Sequence, residues 1–305
     1  MILKIVIFGG TGFIGSALMS FWLEKGYEVI IVTRKQTKKM RAQETPALSY
    51  LTWNELENNV NSPHDVSAVV NLAGATINQR WTPSAKVNIL KTRLTATESV
   101  VRWVKSLDCK PEVVIQGSAV GIYGTSLEEE FDENSKTSSH DYLANLTRQW
   151  ENAADHGFQN IRLVKLRTGV VLGNNGGAYP LMALPYKIGI GGRIGSGKQW
   201  IPWIHLSDLV SLIDFCISHR DVAGPVNAVS PNPVTNNELG NTISSVYHRP
   251  HWLPLPEFFL KTALGDMSSL LLEGQKVMPH AALRYGFEFT YPTLHEALVD
   301  LKMKS

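Results

Sequence analysis

Apolar residues along the chain keep two alternating rhythms. Short β-branched runs are separated by stretches in which apolar positions recur every three or four residues, the pattern of βαβ units and a parallel sheet. Residues 2–8 read as a buried strand. Ile14, Ala17, Leu18, Phe21 and Trp22 then form one stripe of a helix, and Gly26 follows as its C-terminal cap. Further strands are predicted at 27–32, 66–72, 113–115 and 161–166. Thr82-Pro83 reads as an N-cap with proline in the first turn, opening a helix to about residue 104. Its apolar face is Val87, Leu90, Leu94, Val101 and Val104, and a further helix covers 141–154.

After Gly169 the texture changes. Residues 173–202 carry eight glycines, which predicts a folded loop layer instead of regular elements. Helix returns at 206–218 and strand at 225–229; from about 231 onward come short helices and prolines. The expected class is α/β: a doubly wound parallel Rossmann sheet with a smaller C-terminal α/β substrate lobe. The Rossmann part is placed at 1–172, completed by about 203–229, and the smaller lobe at 173–202 and 230–305.

Glycines at Gly9, Gly12 and Gly15 sit between the first strand and the first helix. Chemistry needs them there: the chain must turn sharply, bring backbone amides close to a pyrophosphate and pack its helix tightly on the sheet. The helix N-terminus offers unpaired N–H groups to the anion. Gly9, Thr11, Gly12, Phe13, Ile14 and Gly15 are therefore cofactor candidates. The end of the second strand selects the dinucleotide, because an acid would accept ribose hydroxyls and a base would meet a 2′-phosphate. Here it reads Thr33-Arg34-Lys35, with no Asp or Glu before Glu44. NADP(H) is favoured over NAD(H).

Composition adds exclusions. The 305 residues are 44% hydrophobic and 18% charged with a net charge of +2, which calls for neither nucleic acid nor an anionic membrane. No apolar run reaches the roughly eighteen residues that would span a bilayer. Cys109 and Cys216 lack metal-ligand spacing and read as buried reduced thiols. A cytoplasmic protein with no metal is expected, monomeric or homodimeric, with a small-molecule substrate or none.

Several segments together carry a resemblance: the Gly9–Gly15 turn, Asn71-Leu72-Ala73-Gly74, and Gly117-Ser118-Ala119-Val120-Gly121-Ile122-Tyr123-Gly124. Arg167-Thr168-Gly169-Val170-Val171-Leu172-Gly173, the run from Gly191 to Trp200, and Trp203-Ile204-His205 extend it. The chain resembles an atypical extended short-chain dehydrogenase/reductase of the epimerase/dehydratase type with a C-terminal domain of unknown function. The resemblance implies a sheet of about seven strands, with Leu72, Ala73, Gly74 and Arg93 along the cofactor. Gly117, Ser118, Thr168, Gly169 and Val170 would border the nicotinamide.

The catalytic pattern departs from that family. Typical members place a tyrosine four residues before a lysine, which matters because a phenol near its usual pKa of about 10 is a poor acid–base group at neutral pH. Tyr142 is followed at that spacing by Leu146, and shifting by one pairs Leu143 with Thr147. Counting back from Tyr123, the usual hydroxyl position falls on Ala119, with Ser118 one residue earlier. Ser118 and Tyr142 remain the nominated catalytic groups, with Tyr142 alternatively a helix residue packed on the sheet. Arg80 and Lys86 are further polar candidates for the cleft. Trp81, Arg193, Trp200 and His205 are assigned to a substrate pocket, although His205 also fits a structural cap and the tryptophans plain core. The acidic run at 128–133 reads as a solvated loop. The expectation is an NADP(H)-dependent oxidoreductase or epimerase acting on a small carbonyl or sugar-like compound. The alternative is a non-catalytic NADP(H)-binding redox sensor or scaffold, as relatives of this kind have been linked to cell or organelle division.

Overall fold

The β-branched runs do become the strands of one parallel sheet. The computed structural model describes residues 2–58, 62–138 and 140–305. Its main strands are β1 (Lys4–Phe8), β2 (Glu28–Thr33), β3 (Leu48–Thr52), β4 (Ala68–Asn71), β5 (Val113–Ala119), β6 (Arg162–Thr168) and β7 (Gly224–Ala228). They lie in the order β7-β6-β5-β4-β1-β2-β3, each pair parallel. The order reverses between β1 and β4, and a crevice at the carboxyl ends of the strands on either side of such a reversal is where ligands of doubly wound sheets bind.

The longer helices are α1 (Phe13–Glu24), α2 (Pro83–Ser106), α3 (Tyr142–Gly157), α4 (Tyr179–Lys187), α5 (Leu206–Ser218), α6 (Asn236–Tyr247) and α7 (Leu294–Met303), of which α1, α2, α3 and α5 pack on the sheet. Alternation along the strands splits the core. Ile5, Ile7 and Ile115 face α1 and α5, whereas Val6, Phe8 and Val114 face α2 and α3. Leu18 and Trp22 of α1 are fully buried, as the stripe predicts. Trp22 Nε1 donates to Asp214 on α5 at 2.8 Å, and Lys25 pairs with the same carboxylate at 2.6 Å. A separate core joins α4, α6 and α7 around Trp203 and Leu172.

Several expectations are corrected. The strand β3 falls in a stretch whose polar neighbours hid it. Within the glycine-rich stretch, α4 forms despite Pro180 and Pro185: one proline occupies the first turn, where its missing N–H costs nothing, and Tyr179, Ala183 and Tyr186 pack inward. Three of the glycines have a packing role, since a Cβ on Gly173, Gly176 or Gly177 would come within 2.9 Å of the Phe13 ring. Of the expected α2 face, Val104 is buried and Leu90 and Val101 pack against the core, whereas Val87 is exposed; Ile89, Val100 and Trp103 complete the buried side. Cys109 is exposed; Cys216 is buried, and burial pushes its thiol up to about 12. The acidic run is a clamp for the C-terminal segment. Glu130 pairs with Lys276 at 2.8 Å, and half-buried Glu133 accepts from the backbone N–H of Asn227 and Ala281.

Ile115 sits in the central strand β5 with no exposure. Replacing it with alanine should lower stability by about 2–5 kcal/mol. Urea denaturation checks this, with an unchanged slope showing that the loss is local packing.

Candidate functional site

At the carboxyl edge of β1 the chain turns at Gly9, whose φ is +82°. A Cβ at Gly9 would stand 2.9 Å from the Leu72 carbonyl carbon and 3.0 Å from the Ala73 nitrogen. One at Gly15 would stand 2.5 Å from the Gly10 Cα. The three glycines therefore hold a turn, an open approach and a close helix–strand contact that no side chain permits. Gly12 is the N-cap of α1, with extended backbone, no side-chain cap and no acid in the first turn. The amides of Phe13, Ile14 and Gly15 point from the positive end of that helix, a cradle for a pyrophosphate.

β2 ends on half-buried Thr33, followed by exposed Arg34 and Lys35. The nearby carboxylates are engaged. Glu44 accepts from Gln36 at 2.9 Å and from the Tyr50 backbone at 3.3 Å. Glu55 closes a capping box with Thr52, and those hydrogen bonds hold its carboxyl below the ordinary range. The edge that would select a ribose or its 2′-phosphate is thus cationic.

Leu72, Ala73 and Gly74 follow β4 directly beside the turn. Asn71 below them is fully buried; it donates to Gln116 on β5 at 3.0 Å and accepts from the Ala73 N–H at 3.2 Å. Gly117 and Ser118 lie near the end of β5, just before its last residue Ala119, in register with Leu166 and Arg167 of β6. At Gly169 the chain leaves the sheet: Gly169 N–H bonds to Ala228 and Val170 N–H to Pro202, and Val170 pairs with Trp203. The cofactor candidates Thr11 to Gly15, Leu72 to Gly74, Gly117, Ser118 and Thr168 to Val170 thus all sit at the carboxyl edge. Arg93 lies beside Gly74, its Nη1 donating to the Ala75 and Ile89 carbonyls at 2.9 and 3.0 Å.

The nominated catalytic groups are already occupied. Ser118 Oγ donates to Glu151 at 2.6 Å. Arg167 grips the same carboxylate through Nε at 2.9 Å and Nη2 at 3.0 Å, with Lys165 at 3.6 Å. Burial alone would raise the Glu151 pKa, but Arg167, Ser118 and Lys165 outweigh it and hold it low. Arg167 also donates to Tyr123 OH, which donates to Asn227. This network joins β5, β6, β7 and α3. Sequence reasoning missed it, although Glu151 falls on the buried stripe of α3 with Ala144, Thr147 and Ala154, and a charge on an apolar stripe is its trace. Tyr142 donates to the Lys86 carbonyl at 3.2 Å and packs edge-on against Trp81. Burial raises its pKa, only partly opposed by Arg93, so it is a weaker acid than a free phenol.

The four residues assigned to a substrate pocket have separate neighbours. Trp81 is buried, its Nε1 bonded to the Ile77 carbonyl. Trp200 bonds to the Leu127 carbonyl under Lys276, and Arg193 is exposed on its loop. His205 is the structural cap: it is the N-cap of α5 and accepts from Ser207, and its ring lies 4.1 Å from that of Tyr291. An open cleft of about 750 Å³ lies beyond β5, lined by Tyr123, Glu130, Lys136, His140 and Asp141; no residue of the glycine turn lines it.

The NAD dependent epimerase/dehydratase family model matches residues 5–229, and a domain of unknown function, DUF1731, matches 255–301. The epimerase family protein YfhF of Bacillus subtilis is 43% identical over 302 residues, 98% of each chain. The chloroplastic SDR39U1 homolog of Arabidopsis thaliana is 38% identical over 97% of this chain and 86% of its own. The crystal structure of human epimerase family protein SDR39U1 (isoform 2) with NADPH superposes with a TM-score of 0.91 at 34% identity, covering 99% of this chain and 100% of that one.

Burial of His205 lowers its pKa to about 4 despite Asp300, 3.3 Å away. Between the unfolded value of about 6.5 and this one, the unfolded chain takes a proton that the folded chain refuses, so stability falls as pH drops through that window. His205→Asn, which keeps a capping acceptor, should flatten that part of the pH profile of the melting temperature. An unchanged slope would place the titration elsewhere.

Proposed function

The chain belongs to the NAD dependent epimerase/dehydratase family, and from that premise we propose that it binds NADP(H) in preference to NAD(H) and acts as an oxidoreductase or epimerase on a small carbonyl or sugar-like compound. One observation carries the cofactor choice. The edge of β2 presents Arg34 and Lys35, while Glu44 and Glu55 are tied up in hydrogen bonds of their own. A planar guanidinium there can take a 2′-phosphate in a bidentate grip. That a relative 34% identical was solved with NADPH supports the same cofactor here.

In this reading α1 and the Gly9–Gly15 turn hold the pyrophosphate. Leu72–Gly74 form the floor beneath the dinucleotide, and Gly117, Ser118 and Thr168–Val170 border its nicotinamide, which supplies hydride transfer when bound. The buried Ser118 hydroxyl, whose hydrogen bond goes to Glu151, has only acceptor lone pairs left for a ligand. Tyr142 bonds to the Lys86 carbonyl and lacks a lysine four residues on, which favours a second reading in which the protein binds NADP(H) without catalysis.

Fluorescence titration with NADPH and NADH separates the cofactors. Arg34→Glu should weaken NADPH about 10–100-fold and leave NADH within about threefold; equal losses would refute the assignment. Oxidation of bound NADPH by any member of a carbonyl panel supports the enzyme, and binding with no turnover across the panel supports the second reading.

A further inference from the structure

Helix α4 is apolar on every side, yet only one side is covered. Tyr179, Ala183 and Tyr186 pack inward with residues of α6 and α7. On the opposite side Leu181, Leu184 and, at the C-cap, Ile188 follow at i, i+3 and i+7, and all three are exposed. A helix without a polar face is ordinarily covered all round. Its one charged residue, Lys187, reaches over the ring of Tyr247 on α6, with Nζ 5.3 Å from the centroid.

The chain after α4 extends this side. Ile190 N–H bonds to the Pro185 carbonyl and folds the loop back onto the helix. Residues 251–255 run alongside: Trp252 and Leu253 N–H bond to the Gly191 carbonyl, Leu255 N–H to that of Arg193, and Trp252 Nε1 to that of Gly189 at 3.0 Å. From Trp252 to Phe259 every residue is exposed, and seven of the eight are apolar. The eighth, Glu257, pairs with Lys261 one turn further along the short helix Glu257–Leu264. Phe258 and Phe259 stand edge to face, their centroids 6.0 Å apart. Pro254 and Pro256 have no N–H, so this run is a poor template for another strand and makes its contacts through side chains.

The nine large apolar side chains of this face are between 40% and 73% exposed. Trp252, Phe258 and Phe259 alone present roughly 400 Å². The six aliphatic ones bring the face to the order of 800 Å², the share of one partner in a standard interface. The largest apolar patch of an ordinary monomer is roughly 300–600 Å². Charge selects the occupant. An anionic lipid surface calls for a basic polar side around the apolar one, whereas here Glu257 and Lys261 neutralise each other and Lys187 lies over Tyr247. Such a face can lie against its own copy without setting like charges together. We propose that it joins two copies of the chain about a two-fold axis, with α4 and residues 252–259 of each protomer packed against its partner.

Analytical ultracentrifugation of the full chain over about 1–100 µM tests this. The unaltered protein should sediment as a dimer. Leu181→Glu and Phe258→Glu, one on each arm of the face, should each raise the dissociation constant about 30-fold or more, since the symmetry brings in every new charge twice. Val87→Glu, on the exposed side of α2, should leave it within about twofold. Circular dichroism establishes that each variant is folded; should one glutamate variant fail to fold, the other carries the comparison. A monomer across the whole range overturns the proposal. A dimer that the glutamate variants leave unchanged also overturns it, by placing the interface on another face. So does a mass that climbs past two copies with concentration, which is open association. Flotation of a monomer with vesicles of phosphatidylcholine and phosphatidylglycerol, lost in Phe258→Glu, overturns it as well and gives the face to a membrane.

Discussion

No side chain fits where the end of β1 meets the end of β4, and the rest of the architecture is arranged around that contact. Gly9 lies against the backbone of Leu72 and Ala73, and Gly15 against Gly10. These approaches bring the N-terminus of α1 to the switch point of the sheet with its amides uncapped. They also fix where Phe13 emerges, and Gly173, Gly176 and Gly177 are shaped to its ring. These three glycines, in the stretch between β6 and β7, are thus the complement of one aromatic residue in the phosphate turn, and they tie that stretch to the first turn.

A second constraint is electrostatic. Glu151 and Arg167 are buried together, and removing one partner of such a pair leaves an uncompensated charge that costs about 3–5 kcal/mol. The pair recruits Ser118, Lys165, Tyr123 and Asn227, so three strands and α3 share one hydrogen-bond network. Where related folds carry a tyrosine–lysine pair on this helix, the present chain has Leu143 and Thr147 or Tyr142 and Leu146, and its charges are invested in holding the carboxyl edge of β5 and β6 together. Burial raises the Tyr123 hydroxyl to about 12 against the pull of Arg167, which keeps it a proton donor to Asn227 across the working pH range.

The C-terminal segment is held by side chains of the loop after β5. Glu130, Asp132 and Glu133 reach Lys276, His280 and the backbone at Ala281, and Met267 and Leu270 pack near Trp81 and Tyr142. That packing, with the Lys86–Asp266 pair, closes one side of the region where Arg93 stands.

The sequence by itself determined the parts governed by local rules. Short β-branched runs and three-to-four spacings located six of the seven sheet strands and helices α1, α2, α3 and α5, because burial is written into the local order of residues. Glycine spacing located the phosphate turn, since only glycine tolerates those backbone approaches. Position 34 gave the cationic edge directly. Other features depended on partners distant in the chain. Whether His205 lines a cleft or caps a helix was decided by Ser207, Tyr291 and Asp300. Whether Ser118 is free was decided by Glu151, 33 residues later. The face of α2 was decided by Trp103 and Ile89 packing where Val87 was expected, and the acidic loop became a clamp only once residues 276–281 lay against it. A hydroxyl or a charge has no fixed role until the fold supplies its partner, and in this protein those partners come from across the chain.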